Sequence, residues 1–386
     1  MLTKKQWLEQ YKGKLSQREI TLLEAAYDVL TRNTMCSPHA PWGNTPVISP
    51  WSGDNAGIWN WDSAFHALTV SRYNDVLAKS CIDSFVKYQL PNGMLPDVIL
   101  ANGTVMDNCG KPPVMPWAVL TVFERSRDLD FLHRHYEAMI ANARFWETQR
   151  CDGGLFYYSA QNDIYDKNSL YPKFESGWDN SPRWDGGIVN LWPVDLNCYM
   201  VLFYRCMAKM SCYLGESPKS WMEREADLSN RIERVLFDEK KQAYADRDRV
   251  NGTFVDVLSP ASFMPLFVGI ASQERGAKMD ALARDSQKFY PGMPTVTYDC
   301  PAYNQDYWRG QTWLNVAYFA IKGLHDYGFL QTAKEIRTYL LDMIYDELPR
   351  GMFENYDSVH RRGAFNPCFS WTAAFVIEMI LTNWNS

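Results

Sequence analysis

Helical periodicity runs through this 386-residue chain from end to end, and it limits the possible folds more than any other feature. Ser16-x-x-Glu19 forms a capping box that opens a helix with Ile20, Leu23, Tyr27 and Leu30 on one face. The same spacing predicts a helix beginning near Asp62 and another over 75–90, with Leu77, Cys81, Phe85 and Tyr88 in register. Further helices are expected over 115–126, 128–149, 194–213 and 218–237, the last announced by Ser217-Pro218. Segments 260–270, 273–287, 311–325, 329–347 and 370–383 complete a set of twelve. Strand signals are local: the turns Asn102-Gly103 and Asn251-Gly252, and a short run at Leu155–Ser159. No Pro/Gly/Ser-rich linker or charge run divides the chain. Twelve such helices predict six hairpins closed into a ring, an all-α (α/α)6 toroid with small β-hairpin insertions, and one domain over 1–386. A closed ring also lets one core span a length at which compact cores divide.

Helix parity adds a direction. The long connections rich in aromatic and acidic residues precede the second, sixth, tenth and twelfth helices, and the proline-rich segments Lys111-Pro112-Pro113 and Ser259-Pro260 precede the fourth and eighth. If the even helices form the inner ring, their N-termini open on one face and these loops converge on one mouth. Helix N-termini offer N–H donors and positive dipole ends to polar ligands there.

Composition narrows the ligand. Fifteen Trp, 22 Tyr and 19 Phe exceed what packing requires and suit flat apolar faces such as sugar rings. A net charge of −6 with no basic block excludes a nucleic-acid groove. Nine scattered cysteines without a C-x-x-C pair exclude a zinc ribbon and suit a reducing compartment. The N-terminus MLTKKQWLEQYKGKL lacks an apolar signal core, and no run of about 18 apolar residues could span a membrane. The expectation is a cytoplasmic protein with a small carbohydrate as its partner.

Four segments carry chemistry. Glu175-Ser-Gly-Trp-Asp179-Asn-Ser-Pro-Arg183-Trp-Asp185 combines three carboxylates, an arginine and two tryptophans in eleven residues, a mixture for which a packed helix or strand has no use. Gly351-Met-Phe-Glu354-Asn-Tyr356 leads to Phe369-Ser-Trp371-Thr372. Trp59-Asn-Trp61-Asp62-Ser-Ala-Phe65-His66 and Tyr307-Trp308-Arg309-Gly310-Gln311-Thr-Trp313 complete the group. Each has a plain alternative: an exposed acidic loop, a salt-bridged glutamate, an N-cap aspartate, a core tryptophan beside a surface arginine. On one rim they form a sugar site with aromatic walls and two separated acids, the pair that glycoside hydrolysis needs.

Taken together, ESGWDNSPRWD, WNWDSAFH, WRGQTW and FSWT resemble glycoside hydrolase family 63, the trehalase family and the bacterial mannosylglycerate and glucosylglycerate hydrolases. The motifs stand in the family's order over roughly residues 40–380. The resemblance implies an (α/α)6 barrel and inverting hydrolysis of an α-glycosidic bond with neither cofactor nor metal. By motif match, Asp179 is the general acid and Glu354 the general base. The candidate sugar contacts are Trp59, Trp61, Asp62, Phe65, Ser176, Gly177, Trp178, Arg183, Trp308, Arg309, Gln311, Trp313 and Trp371. The chain departs from the family at Gln311, where many members carry Pro, and after Glu354, where Asp357 follows Tyr356.

The residues themselves suggest matching roles. Asp179 must be protonated near neutral pH, with Trp178 and Trp184 desolvating it. Glu354 must be ionised to hold a water. Asp62 and Arg309 are expected to recognise hydroxyls, while Arg183 either binds substrate or orients Glu175. His66 reads as a packed histidine, and His133 and His135 face apart on a helix and cannot share a metal. Asp163-x-x-Asp166 is either a solvated loop or a calcium loop. Two other functions fit a toroid. A phosphorylase would need a phosphate pocket built from Arg183 and Arg309, and a non-catalytic sugar binder would need no paired acids.

Overall fold

A computed structural model describes residues 2–53, 56–161 and 169–384; the candidate calcium loop at Asp163 and Asp166 lies outside the described residues. Twelve helices form the ring: α1 Gln17–Arg32, α2 Asn60–Val70, α3 Asp75–Val86, α4 Met115–Ser126, α5 Leu129–Gln149, α6 Val194–Tyr213, α7 Lys219–Val235, α8 Met264–Phe267, α9 Gln273–Arg284, α10 Leu314–Asp326, α11 Leu330–Glu347 and α12 Ser370–Leu381. Short helices Lys4–Glu9 and Tyr171–Ser176 lie outside this set.

The even helices pack in the order α2, α4, α6, α8, α10, α12, and α12 returns to α2, closing an inner ring; the odd helices lie against its outside. The structure is an (α/α)6 toroid. Burial separates the two layers as the sequence predicts. Every residue of α2 is buried, whereas α7 buries only Trp221, Leu228 and Ile232 of its seventeen residues. An outer helix therefore needs one apolar stripe, while an inner helix is enclosed on every side, so that even Asn60, Asp62, Ser63, His66 and Thr69 of α2 are buried. Ser16 and Glu19 make the expected reciprocal cap on α1.

One inner helix is shorter than its periodicity suggests. Over 260–270 the chain makes a 3-10 turn, Pro260–Phe263, then the single turn of α8. Pro265 lacks an N–H and fits only a first helical turn, and Gly269 leaves with φ +70°.

Strands serve the loops. Val98–Leu100 pairs antiparallel with both Gly57–Trp59 and Val105–Met106, the second pairing across the Asn102-Gly103 turn. Leu155–Phe156 pairs with Cys151–Asp152, and Asn251-Gly252 turns the chain between Asp248 and the bridge of Arg247 to Phe254. Asn355–Asp357 pairs with Arg362–Ala364 immediately after Glu354. Among the described residues, no helix is long and apolar enough to cross a membrane.

Candidate active site

The loops that enter five of the six inner helices meet at a cavity of about 220 Å³. Its lining comes from the approaches to α2 (Pro50, Trp51, Trp59, Trp61, Asp62), α4 (Lys111), α6 (Gly177, Asp179), α10 (Tyr307, Trp308, Trp313) and α12 (Glu354, Phe369, Trp371). As helix parity predicts, the long aromatic and acidic loops open on a common mouth, whereas the Ser259-Pro260 approach to α8 contributes no lining residue.

The segment carrying Asp179 is held in place from below. Helix Tyr171–Ser176 ends at Gly177, whose φ is +72°. A Cβ there would stand 2.3 Å from the Trp61 ring, so only glycine lets that ring pass. Ser176 Oγ accepts the Trp178 N–H at 3.0 Å and donates to the Lys173 carbonyl at 2.6 Å. Glu175, fully buried, takes Arg150 Nε at 3.0 Å on Oε2 and the N–H groups of Ser159 and Gly110. Arg183 is buried between the Trp178 and Trp184 rings and donates to Asp195 and to Asp246 at 2.7–3.1 Å. Asn180 accepts the Trp308 N–H at 2.9 Å, and Arg309 donates to both oxygens of Asp185 at 2.9 Å and to the Asn180 carbonyl. The Asp179 turn is thereby stapled both to the barrel floor and to the Tyr307–Trp313 loop.

Glu354 is placed by its backbone, whose N–H donates to Asn366 and whose carbonyl accepts from Thr372 Oγ1. Its Oε1 accepts the Tyr307 hydroxyl at 2.9 Å. The ring order puts α6 and α12 opposite each other, so the loops bearing Asp179 and Glu354 reach this cavity from opposing sectors. Trp308 stacks on Trp313 at 4.0 Å, and Trp61 meets Trp371 edge-on at 4.8 Å, forming one wall. Trp51 and Trp59, with centroids 4.6 Å apart, form another.

Burial dominates the electrostatics. It pushes Asp62 up to about 8, against the opposing pull of Lys111 and with a further push from the Asp97 and Glu354 carboxyls. Glu354 rises to about 7, again through burial, although the Tyr307 and Asn366 hydrogen bonds oppose the shift and Asp179 adds to it. Burial also raises Asp179, with Lys111 opposing. Lys111 is itself buried, which alone would lower it, but the Asp97 carboxylate at 3.1 Å and nearby Asp179 hold it above its ordinary value. Its Nζ also donates to the Phe174 carbonyl. The expectation that Glu354 is simply ionised is therefore modified: with Asp62 at about 8 and Glu354 at about 7, the unliganded site holds protons on these two carboxyls at neutral pH.

Several expected contacts fall elsewhere. Arg183 neither touches the cavity nor orients Glu175; its charge is consumed by Asp195 and Asp246, and Arg150 holds Glu175 instead. Arg309 is a loop staple on Asp185 rather than a cavity residue. Trp178 is buried behind the site, against Arg183 and 4.8 Å from Trp308. Ser176 caps its own turn, and Phe65 packs in the ring core against Phe375 and Trp371. Gln311 is buried, donating to the Gln305 carbonyl. His66 is buried and bonded to Ser370 Oγ, and burial lowers it to about 3. His135 is buried beside Asp83. Sequence reasoning missed Lys111, Trp51, Tyr307 and Phe369 as cavity residues, and Asp97 as the partner of Lys111. The available signal was a lone cation in the otherwise uncharged Cys109-Gly110-Lys111-Pro112-Pro113 run ahead of an inner helix.

Comparison with known proteins agrees with this fold. The mannosylglycerate hydrolase of Rubrobacter radiotolerans is 24% identical over 412 aligned positions, covering 84% of this chain and 90% of that protein. The crystal structure of the family 63 mannosylglycerate hydrolase from Thermus thermophilus with glucose superposes with a TM-score of 0.79 at 24% identity, covering 92% of this chain and 99% of that one. The same enzyme is known with Tris and D-glycerate. Neutral trehalase Nth1 from Saccharomyces cerevisiae superposes at 0.71 with 16% identity, over 93% of this chain and 80% of that one. The family profile of the mannosylglycerate hydrolase MGH1-like glycoside hydrolase domain matches residues 55–372. The chain belongs to that family of glycoside hydrolases.

Proposed function

We propose that the protein hydrolyses an α-glucosidic or α-mannosidic bond in a disaccharide or small glycoconjugate with inversion at the anomeric carbon. Asp179 protonates the leaving oxygen, and Glu354 draws a proton from the attacking water. The observation that carries this reading is the pair of carboxyls, both raised by burial, brought to one aromatic-walled cavity from opposing sectors of the ring. A carboxyl raised by burial keeps its proton to higher pH, as a general acid needs, and a carboxylate close to 7 can accept one. Asp62 is retained as the hydroxyl-recognition residue: near 8 it holds its own proton and can both donate and accept. Trp59, Trp61, Trp308, Trp313 and Trp371 offer ring faces. The nine cysteines are free thiols, which supports a cytoplasmic setting.

The phosphorylase alternative loses its anion site, because Arg183 and Arg309 are both committed to carboxylates. Hydrolysis of α-linked disaccharides and glycosylglycerates, followed by NMR before mutarotation, tests the reading. The first product expected is the β-anomer of the sugar, at a rate indifferent to phosphate. An initial α-anomer would overturn the inverting mechanism, and a phosphate requirement would overturn hydrolysis.

A further inference from the structure

The inner cavity has room for one sugar ring, so the remainder of any substrate must extend outward. Outward lies a second, open chamber of about 510 Å³ that shares Trp51, Tyr307 and Glu354 with the first and adds Asn180, Asp306, Phe365 and Asn366. Phe365 is its most unusual member. The ring is 56% exposed, its backbone is left-handed at φ +62°, and it leans on the Tyr307 ring with centroids 4.9 Å apart. A bulky side chain in that conformation is strained, and an exposed ring gains little by burial. A ligand face packed on it would give the arrangement a purpose.

Charge decides what that ligand is. Among the described residues lining the outer chamber, the charged side chains are Asp306 and Glu354, both acidic. The nearest arginine in the same loop, Arg309, is engaged bidentate with Asp185. Asn180 donates to Asp306 Oδ2 at 3.1 Å, and that carboxylate stays exposed to the chamber. Lys111, deeper in the inner cavity, is occupied by Asp97. A leaving group bearing a carboxylate, such as glycerate, would meet like charge and, among the described residues lining the chamber, no counter-ion. An uncharged sugar ring would find aromatic faces at Trp51, Tyr307 and Phe365, the Asn366 amide and the Asp306 carboxylate as a hydroxyl acceptor.

We infer that the outer chamber accepts a neutral sugar as the leaving group, so that the preferred substrate is an uncharged α-linked disaccharide rather than a glycosylglycerate. The inference rests on the hydrolase reading for the place of the scissile bond, but its test does not. Full-length Asp179→Asn protein, silenced for turnover, is titrated calorimetrically at low ionic strength. The probes are α-glucosyl and α-mannosyl conjugates of glycerate, the matching glycerol conjugates, and α-linked disaccharides of the same sugars. The neutral member of each matched pair should bind about tenfold or more tightly, a gap that Asp306→Asn narrows. Phe365→Ala should weaken disaccharide binding about tenfold while affecting the monosaccharide less. Equal or tighter binding of the glycerate conjugate, disaccharide affinity unmoved by Phe365→Ala, or no binding of any probe would overturn the inference. Selective binding of neutral probes without turnover by the wild-type enzyme would instead remove the hydrolase reading and leave this one standing.

Discussion

Replacing Tyr307 by Phe removes one hydroxyl from the cavity and leaves its ring. That hydroxyl donates to Glu354 Oε1 at 2.9 Å and favours the ionised form of the carboxyl. Hydrogen bonds to charged groups contribute about 1.5–3 kcal/mol, and water entering the vacated space recovers part of that. A residual loss of about 1.4 kcal/mol corresponds to about one pH unit. From its present value of about 7, Glu354 would move up by that unit. A general base works deprotonated, so the acidic limb of the kcat/KM profile should shift to higher pH by the same amount. At about pH 6 the ionised fraction falls from roughly 9% to roughly 1%, nearly tenfold, whereas at about pH 9 both forms are roughly 90% ionised or more. The assay is a pH–rate series from about pH 5 to pH 9.5 on an α-linked disaccharide, for wild type and Tyr307→Phe. A loss that is constant across this range, with the acidic limb unmoved, would show that Tyr307 acts only as a wall and that Glu354 is not the base that sets the limb.

Asp179→Asn should lower kcat on an unactivated substrate by about 10²–10⁴-fold with the melting temperature little changed, because an amide cannot deliver the proton; near wild-type turnover would remove Asp179 from the acid role. Arg183→Met should lower stability by about 3–5 kcal/mol in denaturant melts, because it strands the buried Asp195 and Asp246 carboxylates. Arg309→Met, which breaks a pair half open to solvent, should cost about 0–1 kcal/mol. Similar losses in the two arginine variants would contradict the assignment of Arg183 as a buried clamp.

Architecture was the more legible part of the sequence because it rests on summed burial. Leu228 and Ile232 mark the single stripe of an outer helix, and the unbroken burial of Asn60–Val70 marks an inner one. Each pattern repeats over several turns, so no single residue decides it. The exception, α8, is the place where two local rules compete: apolar spacing favours continuing the helix, while Pro265 and Gly269 confine it to one turn. The candidate site was legible as segments rather than as side-chain directions. WNWD, ESGWD, WRGQTW and the Glu354 loop do meet at one mouth, yet within ESGWDNSPRWD only Gly177 and Asp179 line the cavity. Adjacent residues in an irregular turn point to different sides, and no periodicity reveals which. Arginine is the hardest case. Arg183 and Arg309 stand in motifs beside aromatics and acids, as ligand-binding arginines do, but their partners Asp195, Asp246 and Asp185 absorb both charges. Asp246 is 63 positions from Arg183, a pairing invisible in local sequence.

These clamps bear directly on the chemistry. In the acid role proposed for it, Asp179 must present its proton at a fixed point, and its turn contains no regular element to fix it. What fixes it is charge buried beneath the site: Glu175 on Arg150 before the turn, and Arg183 on Asp195 and Asp246 after it. These ion pairs hold the loop through contacts made behind the cavity rather than inside it. Inside, the balance is unequal. Asp62, Asp179 and Glu354 face one lysine, and that lysine already answers Asp97. With Asp62 at about 8 and Glu354 at about 7, part of that negative charge is met by protons at neutral pH. Lys111 lowers Asp62 and Asp179, whereas Tyr307 lowers Glu354. The two sides of the cavity are therefore tuned by different partners, one a fixed charge and the other a single hydroxyl. Under the proposed roles, the base is held by a hydroxyl and the acid stands beside a lysine, and displacing water with a sugar ring would deepen burial on both sides at once.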